Sequence, residues 1–294
     1  MTNSVIEQAN KDYNPSLVSI NEEKIYSLSF NEEEKNILLS SEFDGLEDKN
    51  IQDCVRFLIA LNSINYQFWS LQENQFIRYH NRGQIGALGY FAGFVEFYQY
   101  LELYEFNINL IDESSLSFYF GDIPDKENRI LILKEAFNSS NFEKVFSTVS
   151  EHIKNESINV SLAEKIAAIM PLSYQDPYLK KIQLALYEIS QSYYLRGKNI
   201  SCDITVAADY QIPKVLEGMG ILTYHSSLIE KIELFKSIEK DSKEENAIRA
   251  ATILACEKIS TYHNISIAAL DRVLWLARNN FKGKNFHLTH TTYY

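Results

Sequence analysis

The sequence predicts an all-α chain, a single helical domain with at most short strand pieces. Three observations lead there. Glycine and proline number ten and five in 294 residues, too few for the tight turns of an all-β sandwich. Long apolar runs, and apolar residues at three-to-four spacing, recur along the chain, as buried and amphipathic helices require. No internal repeat and no low-complexity linker divides the sequence, so one large domain accommodates its length.

Taken in order, residues 1–20 are polar and are expected to fray, leaving 21–294 as the domain. Asn21 to Leu39 reads as a helix with acidic residues near its start, where they complement the helix dipole. Asp53 to Trp69 is strongly apolar and predicts a buried helix. Gly83 to Tyr104 predicts a second, in which Gly86, Gly89, Ala92 and Gly93 permit close helix approach at some cost in helix stability. In Asp125 to Phe137, Ile130, Leu133 and Phe137 share one face. Phe142 to Ile153, Ser161 to Met170 and Tyr178 to Leu195 continue the pattern. Ala247 to Ile259 has small and apolar residues on several faces, which suggests a central position. Ser266 is placed to cap a last helix striped by Leu270, Leu274 and Ala277. Strand signals are weak and fall at Leu116 to Phe120 and Ile200 to Val206.

A formal net charge of −11 argues against extended nucleic acid as a partner, since grip on a polyanion rests on neutralising phosphates. A small molecule with one phosphate remains compatible. Cys54, Cys202 and Cys256 are scattered and odd in number, a pattern of reduced thiols and a cytoplasmic setting. The N-terminal residues lack a basic stretch followed by an apolar run. No segment approaches the ~18–20 apolar residues that span a bilayer. His287 and His290 are a weak metal hint without further ligands nearby, and no metal or cofactor is expected.

Val206 to Tyr224, VAADYQIPKVLEGMGILTY, is the most informative stretch. Proline is well tolerated at the start of a helix, and the residue before it is biased toward extended backbone. Asp209 and Tyr210 are therefore expected on a turn leading into a helix that runs to about Gly218 or Gly220. A carboxylate at a helix start suits an anion that meets positive charge. A capping Asp beside a packed Tyr is the plainer alternative.

The pattern ADY-x-(I/V)-P-x-V-L followed by G-(I/V)-L-x-Y resembles the core motif of the queuosine salvage family, queuosine 5′-phosphate N-glycosylases that release the modified base queuine. Further stretches resemble that family in the same order. Asn65 to Ser70 is similar to N-x-x-FWS, and Gly86 to Phe97 to the small-residue helix that follows it. Phe118 to Glu135 carries Gly121-Asp122, Ile123-Pro124, Arg129 and Leu133. Tyr174-Gln175-Asp176 stands where the family has F-R-D, Lys180 to Gln183 where it has K-R-A-Q, and Glu188 replaces an Asp. Ile248 to Glu257, Leu270 to Trp275 and His287 to Tyr294 complete the match, from about residue 53 onward. Departures fall at Gln175, Leu288 and His290, where the family has arginines, and near Glu42 and Phe43, where its histidine has no counterpart. The resemblance implies an all-helical fold similar to helix-hairpin-helix DNA glycosylases.

It also implies hydrolysis of queuosine 5′-phosphate to queuine and ribose 5-phosphate, without metal. N-glycoside cleavage builds positive charge at the anomeric carbon, which a carboxylate beneath the sugar stabilises or attacks. Asp209 is the expected catalytic carboxylate, with Asp176 as competitor. Asp176 is otherwise expected to accept from the guanine-like edge of the base, or to cap a helix before Pro177. Tyr174 and Tyr210 are expected to stack on the base. Phe68 and Trp69 are stackers or core. One of Lys180 and Lys181, with Lys180 the choice, is expected to contact phosphate or ribose, the alternative being a solvated helix face. His290 is a further substrate contact. Arg249, Asp271 and Trp275 are expected to support the site, with Arg249 pairing Asp271 in the core. The alternatives are a non-catalytic carrier of a queuine-like base and a nucleic-acid glycosylase. Charge and the absence of an L-P-G-V-G hairpin count against the last.

Overall fold

The computed structural model describes residues 3–36, 49–73 and 75–294. Near the N-terminus lie α1 (Ser4–Asp12), β1 (Val18–Ile20), α2 (Glu22–Tyr26) and α3 (Glu32–Lys35). The stretch expected to fray instead holds a helix whose Val5 and Ala9 are buried, capped by the Asn3 side chain and packed on a long helix near the C-terminus. The helix expected over Asn21 to Leu39 is two short ones, each with an asparagine N-cap. Residues 37–39, with Glu42 and Phe43, lie outside the described residues.

α4 (Ile51–Ser63) is followed by two hairpins, β2 (Trp69–Gln72) with β3 (Gln75–Arg78), and β4 (His80–Asn81) with β5 (Gln84–Ile85). The apolar run that predicted a helix to Trp69 leaves helical geometry after Ser63. The cause is Arg129, which is fully buried and donates to the carbonyls of Ile64, Tyr66 (2.6 Å) and Gln67 (3.2 Å). Carbonyls that serve a guanidinium are pulled away from a helical ladder. Phe68 and Trp69 thus sit on a loop and a strand.

α5 (Ala87–Leu103) packs on α6 (Glu113–Phe120). Gly93 lets the helices meet, since a Cβ there would overlap the Tyr119 carbonyl oxygen and lie 2.7 Å from Asn81 Nδ2. Leu116 to Phe120, read as an extended piece, is the end of α6. Asp112 and Ser115 form a capping box at its start, and that local satisfaction of orphan N–H groups favours helix. α7 (Lys126–Ala136), α8 (Ser139–Lys154), β6 (Ser157–Asn159), α9 (Val160–Ile169) and α10 (Pro171–Tyr174) follow.

α11 (Lys180–Tyr194) runs along α4 and buries Ile182, Ala185, Leu186 and Ile189 there. Each large apolar side chain so buried contributes ~1.5–3 kcal/mol. β7 (Ser201–Asp203) falls inside the expected Ile200 to Val206 piece and pairs in parallel with β6. α12 (Gln211–Gly218), β8 (Leu222–Tyr224), which pairs antiparallel with β1, and α13 (Ser226–Glu233) lead to α14 (Lys243–His263). α14 is buried on several faces through Ala247, Ala250, Ala251, Ile253 and Cys256, as its small residues predicted. α15 (Ile267–Ala277) begins at Ser266, whose hydroxyl accepts from Ala269 N. The fold is mostly helical with short strands. Among the described residues, no helix is long and apolar enough to cross a membrane, and all three cysteines are free thiols.

Candidate active site

A cavity of about 570 Å³ opens between the loop after α4, the start of α5, α11, α12, α15 and the C-terminal segment. That volume suits a small organic ligand. Its walls combine apolar and aromatic surface with six cationic and three carboxylate side chains among the described residues, the carboxylates being Glu188, Asp209 and Asp271.

Asp209 immediately precedes the first turn of α12. Its Oδ1 accepts from the backbone N–H of Gln211 at 2.6 Å and of Ile212 at 3.0 Å. Oδ2 accepts no hydrogen bond among the described residues, and the residue lines the cavity. The turn and helix were expected; the finer reading differs, because Pro213 is the third residue of α12 and Ile212 is helical. The loop carrying Asp209 is held on two sides. Arg249 Nε donates to Ala208 O at 3.0 Å, and Ala207 N donates to Asp271 Oδ2 at 2.7 Å. Arg249 from the core and Asp271 from the cavity wall therefore fix the backbone on which the carboxylate stands, as a preorganised anion requires.

Arg249 does not pair with Asp271 as expected. It makes a fork with Asp176, Nη1 to Oδ1 and Nη2 to Oδ2 both at 2.8 Å, between the rings of Tyr178 and Tyr294. Asp176 also accepts from Tyr178 N (3.1 Å) and Lys180 N (2.8 Å), starting α11. Burial would raise its pKa, but the guanidinium and the two N–H groups hold it below the usual carboxylate range. Both oxygens are engaged in these contacts and the residue is absent from the cavity wall, the arrangement of a capping and pairing residue. Tyr174 is likewise off the cavity, buried in α10 with its hydroxyl donating to Ile59 O.

Asp271 faces the cavity on α15 with Trp275 one turn on. Burial pushes its carboxyl up to about 7; the Ala207 N–H opposes this, Asp209 adds to it, and Lys180 opposes it. Lys180 and Lys181 do not form a solvated face, being 4% and 2% exposed. Lys180 lines the cavity; burial lowers its pKa against the pull of Asp209, Asp271 and Asp176. Lys181 donates to Ser63 O at 2.6 Å outside the cavity.

Tyr210 lines the cavity and stacks on Phe286 at 4.6 Å between centroids. Phe68 also lines it, stacked against Tyr79 and Tyr90. Trp69 lies behind, at 5.0 Å from the ring of His290, which is exposed; neither reaches the cavity wall. Residues that carried no role in the sequence reading complete it. Glu188 accepts from Asn62 Nδ2 at 2.5 Å. Tyr294 donates to Glu245 at 2.9 Å, and its backbone oxygen accepts from Gln67 N at 3.0 Å. Lys214 is buried in the wall; burial lowers its pKa to about 8, Arg78 adds to this, and Asp209 opposes it. Glu188 and Tyr294 stood inside matched motifs. For Lys214 the lone signal was a cation five residues after Asp209. Among the described residues no group of three or more His, Cys, Asp or Glu could hold a metal.

A family model described as queuosine salvage protein matches residues 46–294. Among curated proteins, a queuosine 5′-phosphate N-glycosylase/hydrolase of Dictyostelium discoideum is 25% identical over 244 residues, 75% of this chain and 71% of the relative. One of the same name from Sphaerobacter thermophilus is 25% identical over 270 residues, 81% and 80% of the two chains. A third, from Bos taurus, is 30% identical over 122 residues, 34% of this chain and 36% of its own.

Proposed function

The chain belongs to the queuosine salvage protein family, and from that membership we propose that it hydrolyses the N-glycosidic bond of queuosine 5′-phosphate to queuine and ribose 5-phosphate. The observation that carries this reading is Asp209, a carboxylate in the cavity wall with one oxygen held by two backbone N–H groups and the other unengaged among the described residues. In the reaction the bond from C1′ to the base nitrogen breaks and its electron pair leaves with the base. Water oxygen bonds to C1′ and releases a proton to solvent, which balances the proton the departing base takes up. Positive charge on the sugar peaks between these events, and Asp209 is the anion set to stabilise it, directly or by transient attack.

Queuine is a 7-deazaguanine and offers no N7 to protonate, so the departing base needs a donor elsewhere. Asp271, its carboxyl pushed up to about 7, carries a proton in about half of the molecules at neutral pH and is the donor for that role. Lys180 balances the two carboxylates. Tyr210 and Phe68 supply aromatic wall for the flat base, while Arg249 and Asp176 position the Asp209 loop. The overall architecture is akin to helix-hairpin-helix DNA glycosylases, the setting is cytoplasmic, and the substrate is a free nucleotide. The test is incubation of the protein with queuosine 5′-phosphate and mass detection of free queuine. Many equivalents of queuine per protein chain are expected. Tight binding without released base would identify a carrier of the modified base instead.

A further inference from the structure

The cavity contains a buried cation that the chemistry above does not use. Lys214 is 6% exposed, and its Nζ makes no hydrogen bond or ion pair with the described residues. The Nζ stands 6.0 Å from the centroid of the Phe286 ring, the outer limit of a cation–π contact. A buried ammonium that no hydrogen bond meets is costly to keep charged. Arg78 and Arg278 act on Lys214 as like charges, and Asp209 in the same wall opposes them. A second unmet group lies on the same helix and in the same wall: Gln211 Oε1 is buried with no hydrogen-bond partner. The lining as a whole carries six cations against three carboxylates, in a chain of net charge −11. Positive charge concentrated in one cavity of an acidic protein is a site for an anion.

We propose that Lys214, backed by Arg78, is the subsite for the sugar phosphate and sets the preference for a 5′-monophosphate over the bare nucleoside. This rests on the hydrolase reading for its substrate, and on the wall of the cavity for its place. Asp209 lies two residues ahead of α12 and Lys214 is the fourth residue of that helix, five residues or roughly 7.5 Å of helical rise further on. A ribose lying across that stretch sets its anomeric carbon by Asp209 and its phosphate by Lys214. Gln211, between the two, meets a sugar hydroxyl. The lysine is a point charge with three donors and suits a terminal phosphate dianion. Position 214 is one the ADY-x-(I/V)-P-x-V-L pattern leaves open.

Two measurements test it. In the first, kcat/KM is determined for queuosine 5′-phosphate and for queuosine, with wild type, Lys214→Met and Lys214→Arg. The ratio of the two values is expected to fall at least tenfold in Lys214→Met and to recover in Lys214→Arg. In the second, calorimetry compares ribose 5-phosphate with ribose, needing no turnover. Wild type is expected to bind the phosphate at least tenfold more tightly, and Lys214→Met to lose that difference while its thermal unfolding confirms the fold. If no nucleotide is cleaved yet the ribose 5-phosphate result holds, the hydrolase reading fails and the phosphate subsite stands. An unchanged substrate ratio in folded Lys214→Met overturns the proposal. So does wild type that fails to distinguish ribose 5-phosphate from ribose.

Discussion

Asp176 and Arg249 brace the loop that carries Asp209. The guanidinium spans from the Asp176 carboxylate to Ala208 O, and so to the residue before Asp209. Replacing Asp176 with Ala strands a buried cation and removes the cap of α11. A loss of about 3–5 kcal/mol is expected in chemical denaturation, with turnover lost through the displaced loop. A variant that keeps its stability and loses only queuine affinity would return Asp176 to base recognition. Asp271 makes a pH prediction. Its folded pKa is raised to about 7, so the acid form that donates a proton prevails below that value. Turnover is expected to fall as pH rises through about 7, and Asp271→Asn is expected to abolish that alkaline limb along with most of the rate. A wild-type profile flat from pH 6 to 8 would remove Asp271 from the proton-donor role.

At the scale of elements, packing overrides propensity in both directions. Gly93 sits within α5, where Ala is the better helix former by ~1 kcal/mol. The added methyl would overlap the Tyr119 backbone, which cannot rotate away as a side chain can. Gly93→Ala is therefore expected to destabilise by about 1–3 kcal/mol, the usual overpacking cost, and a stabilised variant would contradict the close approach of α5 and α6. The same contest explains what the sequence revealed. The helices α7, α8, α9, α11, α14 and α15 were legible because their apolar period is local. The end of α4 at Ser63 was not, because it depends on Arg129 arriving from more than sixty residues away. α6 was misread because five apolar-rich residues were weighed without the Asp112–Ser115 cap ahead of them.

The whole molecule assembles its cavity from segments far apart in sequence, and this limited what could be read of the site. Asp209, Tyr210, Phe68, Lys180, Asp271 and Trp275 were named from motifs and do meet in one wall. Tyr174, Asp176, Trp69 and His290 were named from the same motifs and lie behind it, because motif membership does not distinguish a lining side chain from the one that braces it. The choice of Arg249's partner turned on tertiary placement alone. At this scale the substrate follows from charge and enclosure. A −11 chain with a cavity of about 570 Å³ repels a polyanion and has room for one nucleotide. Intact queuosine-containing tRNA is expected to yield no queuine under conditions where the mononucleotide is consumed. Efficient release from the intact tRNA would contradict the enclosed site.

The central claim is that Asp209 stabilises the sugar cation, and turnover of Asp209→Asn tests it most directly. The asparagine Oδ1 can still accept from Gln211 and Ile212, so fold and queuine affinity are expected to persist while the anion is gone. The charge matters most at the transition state, and kcat for queuosine 5′-phosphate is expected to fall on the order of 10³-fold or more. A folded Asp209→Asn that retains more than about a tenth of wild-type turnover, far short of that loss, would contradict the account.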